Sequence, residues 1–284
     1  MTAAGAGQRL PELPEAYVDH LVRPRNAGDL PDAHAAGEFG SMVGGLGVRL
    51  TLKYGVEDDR PIVTEARGRA FGSPAPVAAL SWMTGALVGK TEQSASAITA
   101  DDVVAGMTGG AAFELPERAR LGASYVVSAL HSALGDASAA PPADVNGGGI
   151  LVCRCLGVGD RTIRRAIHDG ARDPEAIGEA CRACTGCRSC RSDLLALIAE
   201  ELGAEPPPPP TNGHPIARIA MVHAGAALRP LGLPLQGADV REDIVAIRLG
   251  APAEDAFVSP ISAVAITRHV LREVVWDGVR VELA

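Results

Sequence analysis

Hydrophobic and polar residues alternate in the segment GVRLTLKYGV at residues 47–56. Every second residue from Val48 to Tyr54 is apolar, and the residues between them are Arg, Thr and Lys. Because successive side chains of a strand point to opposite faces, this pattern predicts a strand with one buried face. A second short strand is predicted around residues 61–66.

Helix signals follow these strands. Ser73 before Pro74 is typical of an N-cap with proline in the first turn, and it predicts the start of an Ala-rich helix. Thr99, with Asp102 three residues later, predicts a capping box at the start of a short helix. A last helix is predicted over residues 117–134. Strands followed by helices indicate an α+β arrangement for this part of the chain.

The middle of the chain has a shorter helical pattern. Asp160 is predicted to cap a helix whose buried face carries Ile163 and Ile167, while Arg164 faces water. The apolar positions of DLLALIAEEL, at residues 193–202, predict a second helix that closes this part of the chain.

Two segments have the composition of linkers. GDASAAPPADVNGGG, at residues 135–149, is rich in Ala, Pro and Gly. EPPPPPTNGHP, at residues 205–215, contains five successive prolines, which favour a stiff polyproline II spacer. The linkers divide the chain into three predicted domains, at residues 1–134, 150–203 and 216–284.

In the last domain we expect a strand at 243–250, a helix capped by Ser259 and Pro260, and a strand at 279–283. The whole is predicted to be a multidomain α+β protein.

Composition narrows the class of protein. The chain has 284 residues, 47% of them hydrophobic, which is enough for ordinary cores. Its net charge of −8 argues against non-specific nucleic-acid binding, which needs a basic face. No apolar run reaches the roughly 18 residues of a membrane span, and the opening MTAAGAGQRLPELPEAY has no signal-peptide pattern. We therefore expect a cytoplasmic protein that binds neither nucleic acid nor membranes.

All six cysteines lie between residues 153 and 190, in the stretches VCRC and CRACTGCRSC. In a reducing compartment, clustered cysteines more often bind metal or carry out redox chemistry than form disulfides. Four thiolates satisfy either a tetrahedral zinc ion or a [2Fe–2S] cluster. The tight pair Cys153 and Cys155, with Cys187 and Cys190 after a short helix, favours the iron–sulfur cluster, and zinc remains the alternative.

Two cysteines exceed this requirement. Cys181 and Cys184 are either alternate ligands or small residues in a tight turn, and the run of four cysteines matches the bacterial [4Fe–4S] spacing poorly.

Eight arginines lie between residues 154 and 191, and cations near an anionic cluster raise its potential. Arg154 and Arg188, each between two proposed ligands, are the arginines expected to matter most.

The middle domain resembles the bacterioferritin-associated-ferredoxin-type [2Fe–2S] domain. The resemblance is carried by VCRCLGV, TIRRAIHDGA and ACTGCRSC. It implies that Cys153, Cys155, Cys187 and Cys190 bind the cluster. That family usually has Thr and Gly at the positions of Cys181 and Cys184, so no role for these two cysteines is implied.

The flanking segments extend the resemblance. YVDHLVRPRNAGDLPDAHAAGEFGS, FGSPAPVAALSWMTGALVGKT and ELPERAR resemble NifU and IscU scaffold proteins. LRPLGLPLQGADV and IVAIRLGAP resemble the NifU C-terminal domain. The order of domains is that of the NifU family. The resemblance implies an IscU-like α+β domain, a small helical [2Fe–2S] domain and a small α+β C-terminal domain.

The chain departs from the family at the transient cluster sites. The first scaffold cysteine is replaced by Gly44, the aspartate by Leu46, the second cysteine by Ser73 and the third by about Leu121. The C-terminal CxxC is replaced by PAED at residues 252–255. Gly and Leu cannot ligate iron, and a lone Ser or Asp makes a poor cluster site, so both flanking sites are predicted to be inactive.

Three functions are compatible with this sequence. The first is an accessory of iron–sulfur cluster assembly that docks a cysteine desulfurase or client apoproteins. The second is a ferredoxin-like electron carrier or redox sensor with a redox partner, and the third is a zinc-bound interaction module. The histidines are scattered and no phosphate loop is complete, so we do not expect an enzyme. NifU-like proteins are often dimers, which makes a homodimer a further expectation.

Overall fold

A computed structural model describes residues 10–41, 45–135, 149–186, 188, 190–203, 213–253, 256 and 259–284. Most of the two predicted linkers, at 135–149 and 205–215, lies outside these residues. Gly44 and Cys187 also lie outside them.

The first part of the chain is a three-stranded antiparallel sheet covered by helices. Its elements are α1 (Glu15–Val22), β1 (Ala35–Ser41), β2 (Leu46–Glu57), β3 (Arg60–Phe71), α2 (Val77–Leu87), α3 (Glu92–Ser96), α4 (Ala100–Met107) and α5 (Glu117–Ala133). Helix α5 packs on β1 and β2, and α2 packs on β3. A Cβ at Gly37 would lie 2.0 Å from the Ala129 carbonyl oxygen, so only glycine allows α5 to approach β1 this closely.

Most local signals in this part were interpreted correctly, although both faces of the first half of β2 are buried rather than one. The strand at 47–56, the Thr99–Asp102 capping box and the helix at 117–134 are confirmed. Strand β3 is longer than predicted because β2 pairs with it along its whole length. Ser73 is not a helix N-cap, since α2 begins at Val77; its Oγ accepts a hydrogen bond from the Ala75 amide at 3.0 Å.

The middle part has its own small hydrophobic core. Its elements are β4 (Leu151–Cys153), β5 (Val158–Gly159), α6 (Asp160–His168), α7 (Pro174–Cys181) and α8 (Arg191–Glu201). Ile163 and Ile167 are buried as predicted. Asp160 does not cap α6, because it is the first residue of the helix and Gly159 is the N-cap. Arg164 is 7% exposed rather than in water, because it lies against the first part of the chain.

The third part combines a helical segment with a second sheet. Its elements are α9 (Pro215–Ile219), a π-helical turn (Ala220–Ala224), α10 (Gly225–Leu228), a 3₁₀ turn (Arg229–Leu231), β6 (Leu235–Arg241), β7 (Ile244–Leu249), α11 (Pro260–Val274) and β8 (Arg280–Leu283). Strand β7 pairs antiparallel with β6 and parallel with β8. The predicted strands and the helix capped by Ser259 are confirmed, whereas the segment from α9 to β6 was not predicted.

The first and third parts share one hydrophobic core. Two hydrogen bonds also join them. The hydroxyl of Tyr17 in α1 donates to the Val274 carbonyl at 3.0 Å, and Nε2 of His223 donates to the Leu21 carbonyl at 2.9 Å. The three-domain division stays a prediction, and these contacts hold the two flanking parts together.

A buried ionic network joins the middle part to the first sheet. The guanidinium of Arg49, on β2, contacts Glu38 at 2.6 Å and Asp160 at 2.8 Å. Arg164 contacts the other oxygen of Asp160 at 3.2 Å. Both guanidinium groups lie over the ring of Phe71, at 5.4 and 5.8 Å from its centroid. Paired charges of this kind fix the relative position of two surfaces, because either charge left alone would be costly to bury.

In the part of the chain that the structure describes, no helix is both long enough and apolar enough to cross a lipid bilayer.

Candidate metal centre

Cys153 and Cys155 lie at one end of the β4–β5 hairpin. Cys153 is the last residue of β4 and is fully buried, whereas Cys155 follows in the turn and is exposed. Their Sγ atoms are 3.9 Å apart. Two thiolates about 2.3 Å from one tetrahedral metal ion are about 3.8 Å apart, so this pair has the spacing for ligands of a single ion.

Cys190 supplies a third thiol, and it belongs to the same small core as Cys153. It is the N-cap residue of α8 and is 3% exposed. Burial raises the pKa of its thiol, and hydrogen bonding to the neighbouring thiols of Cys153 and Cys184 raises it further. A bound cation would reverse this effect, because it stabilises the thiolate.

The loop between α7 and α8 approaches the hairpin closely. A Cβ at Gly186 would lie 3.0 Å from Cys155 Sγ, so glycine leaves room for this thiol. Arg182, Cys184 and Arg188 in the same loop have φ values of 67°, 66° and 60°. These are left-handed conformations, which cost non-glycine residues energy and are common at binding sites.

Cys181 and Cys184 both lie near the proposed ligands. Cys184 is buried beside Cys190. Cys181 is half-buried and donates a hydrogen bond to the Ile177 carbonyl at 3.2 Å. Burial raises the pKa of Cys181, and the charge of Cys153 adds to this. The sequence left both as alternate ligands or as small residues in a tight turn, and these two interpretations stay predictions.

The described donor set is incomplete without Cys187. Among the residues that the structure describes, no three His, Cys, Asp or Glu side chains form a group placed to hold a metal ion, and no two of the five described cysteines are disulfide-bonded. The donors themselves are soft thiols, and such ligands suit iron–sulfur clusters or zinc and disfavour hard cations. The residues present therefore fit a cluster, with Cys187 as the fourth ligand expected from the sequence.

The two arginines singled out in the sequence are exposed at this site. Arg154 lies between Cys153 and Cys155, and Arg188 precedes Cys190 by two residues. Arg191 is paired with Glu175 at 2.5 Å. Arg164, by contrast, belongs to the buried network with the first sheet.

Three of the replaced scaffold positions of the first part, Leu46, Ser73 and Leu121, are among the described residues. Leu46 is 1% exposed, and Ser73 is buried. The Ser73 hydroxyl donates to Glu273 of α11 at 2.5 Å, and Glu273 also contacts Arg118 at 3.5 Å. Leu121 is 38% exposed on α5. The third part of the chain thus covers the position where the resemblance places the second scaffold cysteine.

Two family models match the chain in sequence. Residues 14–139 match the NifU-like N terminal domain, and residues 151–200 match the BFD-like [2Fe-2S] binding domain. The second match contains every cysteine named above.

Individual relatives agree with these models. The nitrogen fixation protein NifU of Azospirillum brasilense is 31% identical over 150 residues, which are 52% of this chain and 46% of that protein. The scaffold protein IscU of Aquifex aeolicus is 33% identical over 92 residues, 32% of this chain and 57% of that one. The chain thus spans about half the length of these relatives.

A third relative is matched over most of its length. The iron–sulfur cluster assembly scaffold protein IscU 1 of Archaeoglobus fulgidus is 31% identical over 122 residues, 43% of this chain and 74% of that protein. With a NifU-type first domain followed by a BFD-like domain, the chain belongs to the NifU family of iron–sulfur cluster assembly proteins.

Proposed function

We propose that this protein takes part in iron–sulfur cluster assembly and binds one [2Fe–2S] cluster in its middle domain. Cys153, Cys155, Cys187 and Cys190 are its ligands. The observation that carries the proposal is the 3.9 Å separation of the Cys153 and Cys155 sulfurs, with Cys190 buried beside Cys153. The BFD-like match over residues 151–200 supports the choice of cluster.

The residues around the ligands have distinct tasks. When bound, the cluster would accept and donate one electron at a time, or would itself be transferred to an apoprotein. The buried Cys153 and Cys190 hold it against the core, whereas the exposed Cys155 leaves one side open to solvent. Arg154 and Arg188 bring positive charge to that side, which favours the more negative, reduced state.

The flanking parts act in docking rather than in building a cluster. Leu46 and Ser73 stand where the family has ligands, and Ser73 is engaged by Glu273 instead. The first domain retains the NifU-type sequence over residues 14–139, which supports a surface for a cysteine desulfurase or a client apoprotein. In this role the protein is a non-catalytic accessory of the cytoplasm.

A ferredoxin-like carrier or redox sensor is the second candidate. It is favoured by the same loss of ligands at Leu46 and Ser73, because all six cysteines of the chain lie between residues 153 and 190. Transfer of iron to an apoprotein would distinguish assembly from electron carriage. A zinc-bound interaction module is the third candidate, since a 3.9 Å thiol pair also suits tetrahedral zinc.

The test is the metal content and visible spectrum of the full chain purified without oxygen. We expect visible charge-transfer bands and about two irons per chain. A Cys153→Ala/Cys155→Ala variant should lose both, and a Cys181→Ala variant should keep both. A colourless protein with stoichiometric zinc would overturn the proposal in favour of the interaction module, and a metal-free protein would overturn both.

A further inference from the structure

The two segments that carry the cysteines contain positive charges only. At residues 153–159 and 181–191 every charged residue is an arginine, and these are Arg154, Arg182, Arg188 and Arg191. The chain as a whole has a net charge of −8. The charge of these two segments is therefore opposite in sign to that of the protein that carries them.

The fold brings the two segments together at one surface. A Cβ built on Gly186 would lie 3.0 Å from Cys155 Sγ and 3.9 Å from the side chain of Leu156. Both Cys155 and Gly186 are exposed. A cluster bound by Cys155 would therefore lie near solvent at the place where the hairpin meets the loop, with arginines from both segments around it.

Three of the four arginines have no carboxylate partner within the described part of this chain. Arg154, Arg182 and Arg188 are exposed, and none of them forms an ion pair with another described residue. Arg164 and Arg191, by contrast, each contact a carboxylate of the same chain. The three exposed guanidinium groups can therefore bind the carboxylates of another molecule.

The carboxylates nearby do not cancel this charge. Glu175 and Glu179 of α7 line a surface cavity of about 310 Å³, which Arg188 also lines. Glu175 is paired with Arg191 at 2.5 Å, so these two charges compensate each other. Glu179 is then the remaining carboxylate of this cavity against three exposed arginines, and the surface stays positive.

We propose that this end of the middle domain is the docking surface for an acidic redox protein, which accepts one electron from the cluster beside Cys155. This inference rests on the proposed function, because it requires a cluster in the middle domain. In the transfer the reduced cluster loses one electron and the partner gains it. No bond to iron breaks and no proton moves.

A protein fits this surface better than a nucleic acid does. Nucleic acid is charged along its whole length and would also face the acidic remainder of a chain with a net charge of −8. An acidic patch on a protein can match three arginines within a small area, because arginine binds a carboxylate through two parallel hydrogen bonds. Complementary charges raise the rate of association more than the affinity, which suits a brief encounter for electron transfer.

The experiment measures how fast the reduced cluster is oxidised by two small oxidants of opposite charge. It compares three full-length chains purified without oxygen, which are wild type, Arg154→Gln/Arg182→Gln/Arg188→Gln and the control Arg60→Gln/Arg120→Gln/Arg241→Gln. The control removes three exposed arginines from the first and third parts, so both triple variants have the same net charge. Iron per chain is determined for each, so that a lost cluster is not mistaken for lost docking.

Each chain is reduced with dithionite and mixed in a stopped-flow apparatus with hexacyanoferrate(III), an anion, or with tris(phenanthroline)cobalt(III), a cation. At low ionic strength, the ratio of the anion rate to the cation rate should be about tenfold lower in the Arg154→Gln/Arg182→Gln/Arg188→Gln variant than in wild type, and should change less than about threefold in the control. A change in midpoint potential alters both rates in the same direction, so it has little effect on the ratio.

Salt and a polymeric competitor complete the test. The wild-type rate with hexacyanoferrate(III) should fall as the ionic strength rises from about 10 mM to about 0.5 M, because salt screens the attraction. Polyglutamate should also slow this reaction, since it covers the arginines, and it should have no effect on the Arg154→Gln/Arg182→Gln/Arg188→Gln variant.

Four results would contradict one of the two proposals. An equal fall of the ratio in both triple variants would overturn the docking surface, because net charge alone would then explain it. A wild-type rate with hexacyanoferrate(III) that rises with ionic strength would overturn it as well. A DNA duplex that competes as strongly as polyglutamate of equal charge would overturn the choice of a protein partner. Wild type without a cluster would instead overturn the proposed function.

Discussion

Arg49 of β2 and Asp160 of α6 lie 2.8 Å apart across the boundary between the first sheet and the middle part. Asp160 is fully buried, and its Oδ1 also accepts a hydrogen bond from the Ile150 amide at 2.7 Å. Burial by itself lowers the pKa of Arg49, but the charges of Asp160 and Glu38 outweigh it and raise that pKa overall. The proposed cluster domain is therefore attached to its neighbour by a charge pair that stays ionised.

Removal of the Asp160 carboxylate should destabilise the protein. Asp160→Ala leaves the Ile150 amide without its acceptor and reduces the negative charge around the buried Arg49. A buried charge that loses a partner costs several kcal/mol, so we expect a decrease of about 3 kcal/mol in the free energy of unfolding. Urea denaturation of the full chain measures it.

The matched control is Glu65→Ala. Glu65 pairs with Arg67 on the sheet surface, and both side chains are nearly half exposed. A surface substitution of this kind changes stability by about 0.5 kcal/mol or less. Equal effects of Asp160→Ala and Glu65→Ala would show that the network does not hold the two parts together.

The contact between Ser73 and Glu273 predicts that the former ligand position is inaccessible. A cysteine introduced by Ser73→Cys should react with iodoacetamide about tenfold more slowly than one introduced by Leu121→Cys, because it reacts only when α11 opens locally. Peptide mapping by mass spectrometry separates these cysteines from those of the middle domain.

A second variant tests the cause of this protection. Glu273→Ala in the Ser73→Cys background removes the side chain that covers position 73 and should bring the labelling rate close to that of Leu121→Cys. Unchanged slow labelling would mean that the remaining packing of α11, rather than Glu273, shields the site. Fast labelling of Ser73→Cys with Glu273 intact would contradict the described contact.

Local signals predicted much of the fold. The Thr99–Asp102 capping box and the Ser259 N-cap depend on residues close in sequence, and both are present in the structure. The alternation in β2 predicted its strand but placed Arg49 in water. Arg49 is buried because the middle part covers that face of the sheet, and such a contact leaves no periodic signal in either segment.

Prediction of the candidate site from the sequence was limited in the same way. Spacing and resemblance predicted the ligand pairs, and the structure brings Cys153, Cys155 and Cys190 near one another. The fold of the loop that carries Cys184 was not predicted, because it depends on left-handed backbone at three non-glycine residues, Arg182, Cys184 and Arg188. Glycine is the residue that ordinarily marks such conformations, so the sequence gives no sign of them here.

Arg154, which is exposed at the β4–β5 hairpin, should raise the midpoint potential of the cluster. Arg154→Gln removes a positive charge between two proposed ligands, which destabilises the reduced cluster relative to the oxidised one. We expect the midpoint potential to fall by on the order of tens of millivolts, measured by redox titration of the visible bands. Arg60→Gln, at the far hairpin of the first sheet, is the control and should leave the potential unchanged. An equal shift in both variants would exclude a local effect of Arg154.

His223 should make stability depend on pH. It is half-buried between the first and third parts of the chain, where burial lowers its pKa to about 4, and its hydrogen bond to the Leu21 carbonyl opposes this only in part. An unfolded histidine has a pKa of about 6.5, so between these values the unfolded chain binds a proton that the folded chain does not. The contribution of His223 to the free energy of unfolding is therefore complete above about pH 6.5. It decreases as the pH falls and is smaller by about 3 kcal/mol at pH 4.

The His223→Gln variant isolates this contribution. Glutamine can still donate a hydrogen bond to the Leu21 carbonyl but does not titrate, so the variant lacks the pH dependence that His223 produces. Burial also lowers the pKa values of His20 and His214, and both residues remain in the variant, so their effects cancel in the comparison. Urea denaturation from pH 7.5 to 4.5 should show the wild type losing stability faster than the variant as the pH falls. Parallel curves would mean that His223 is protonated in the folded protein as readily as in the unfolded chain, and that the shared core admits water at this position.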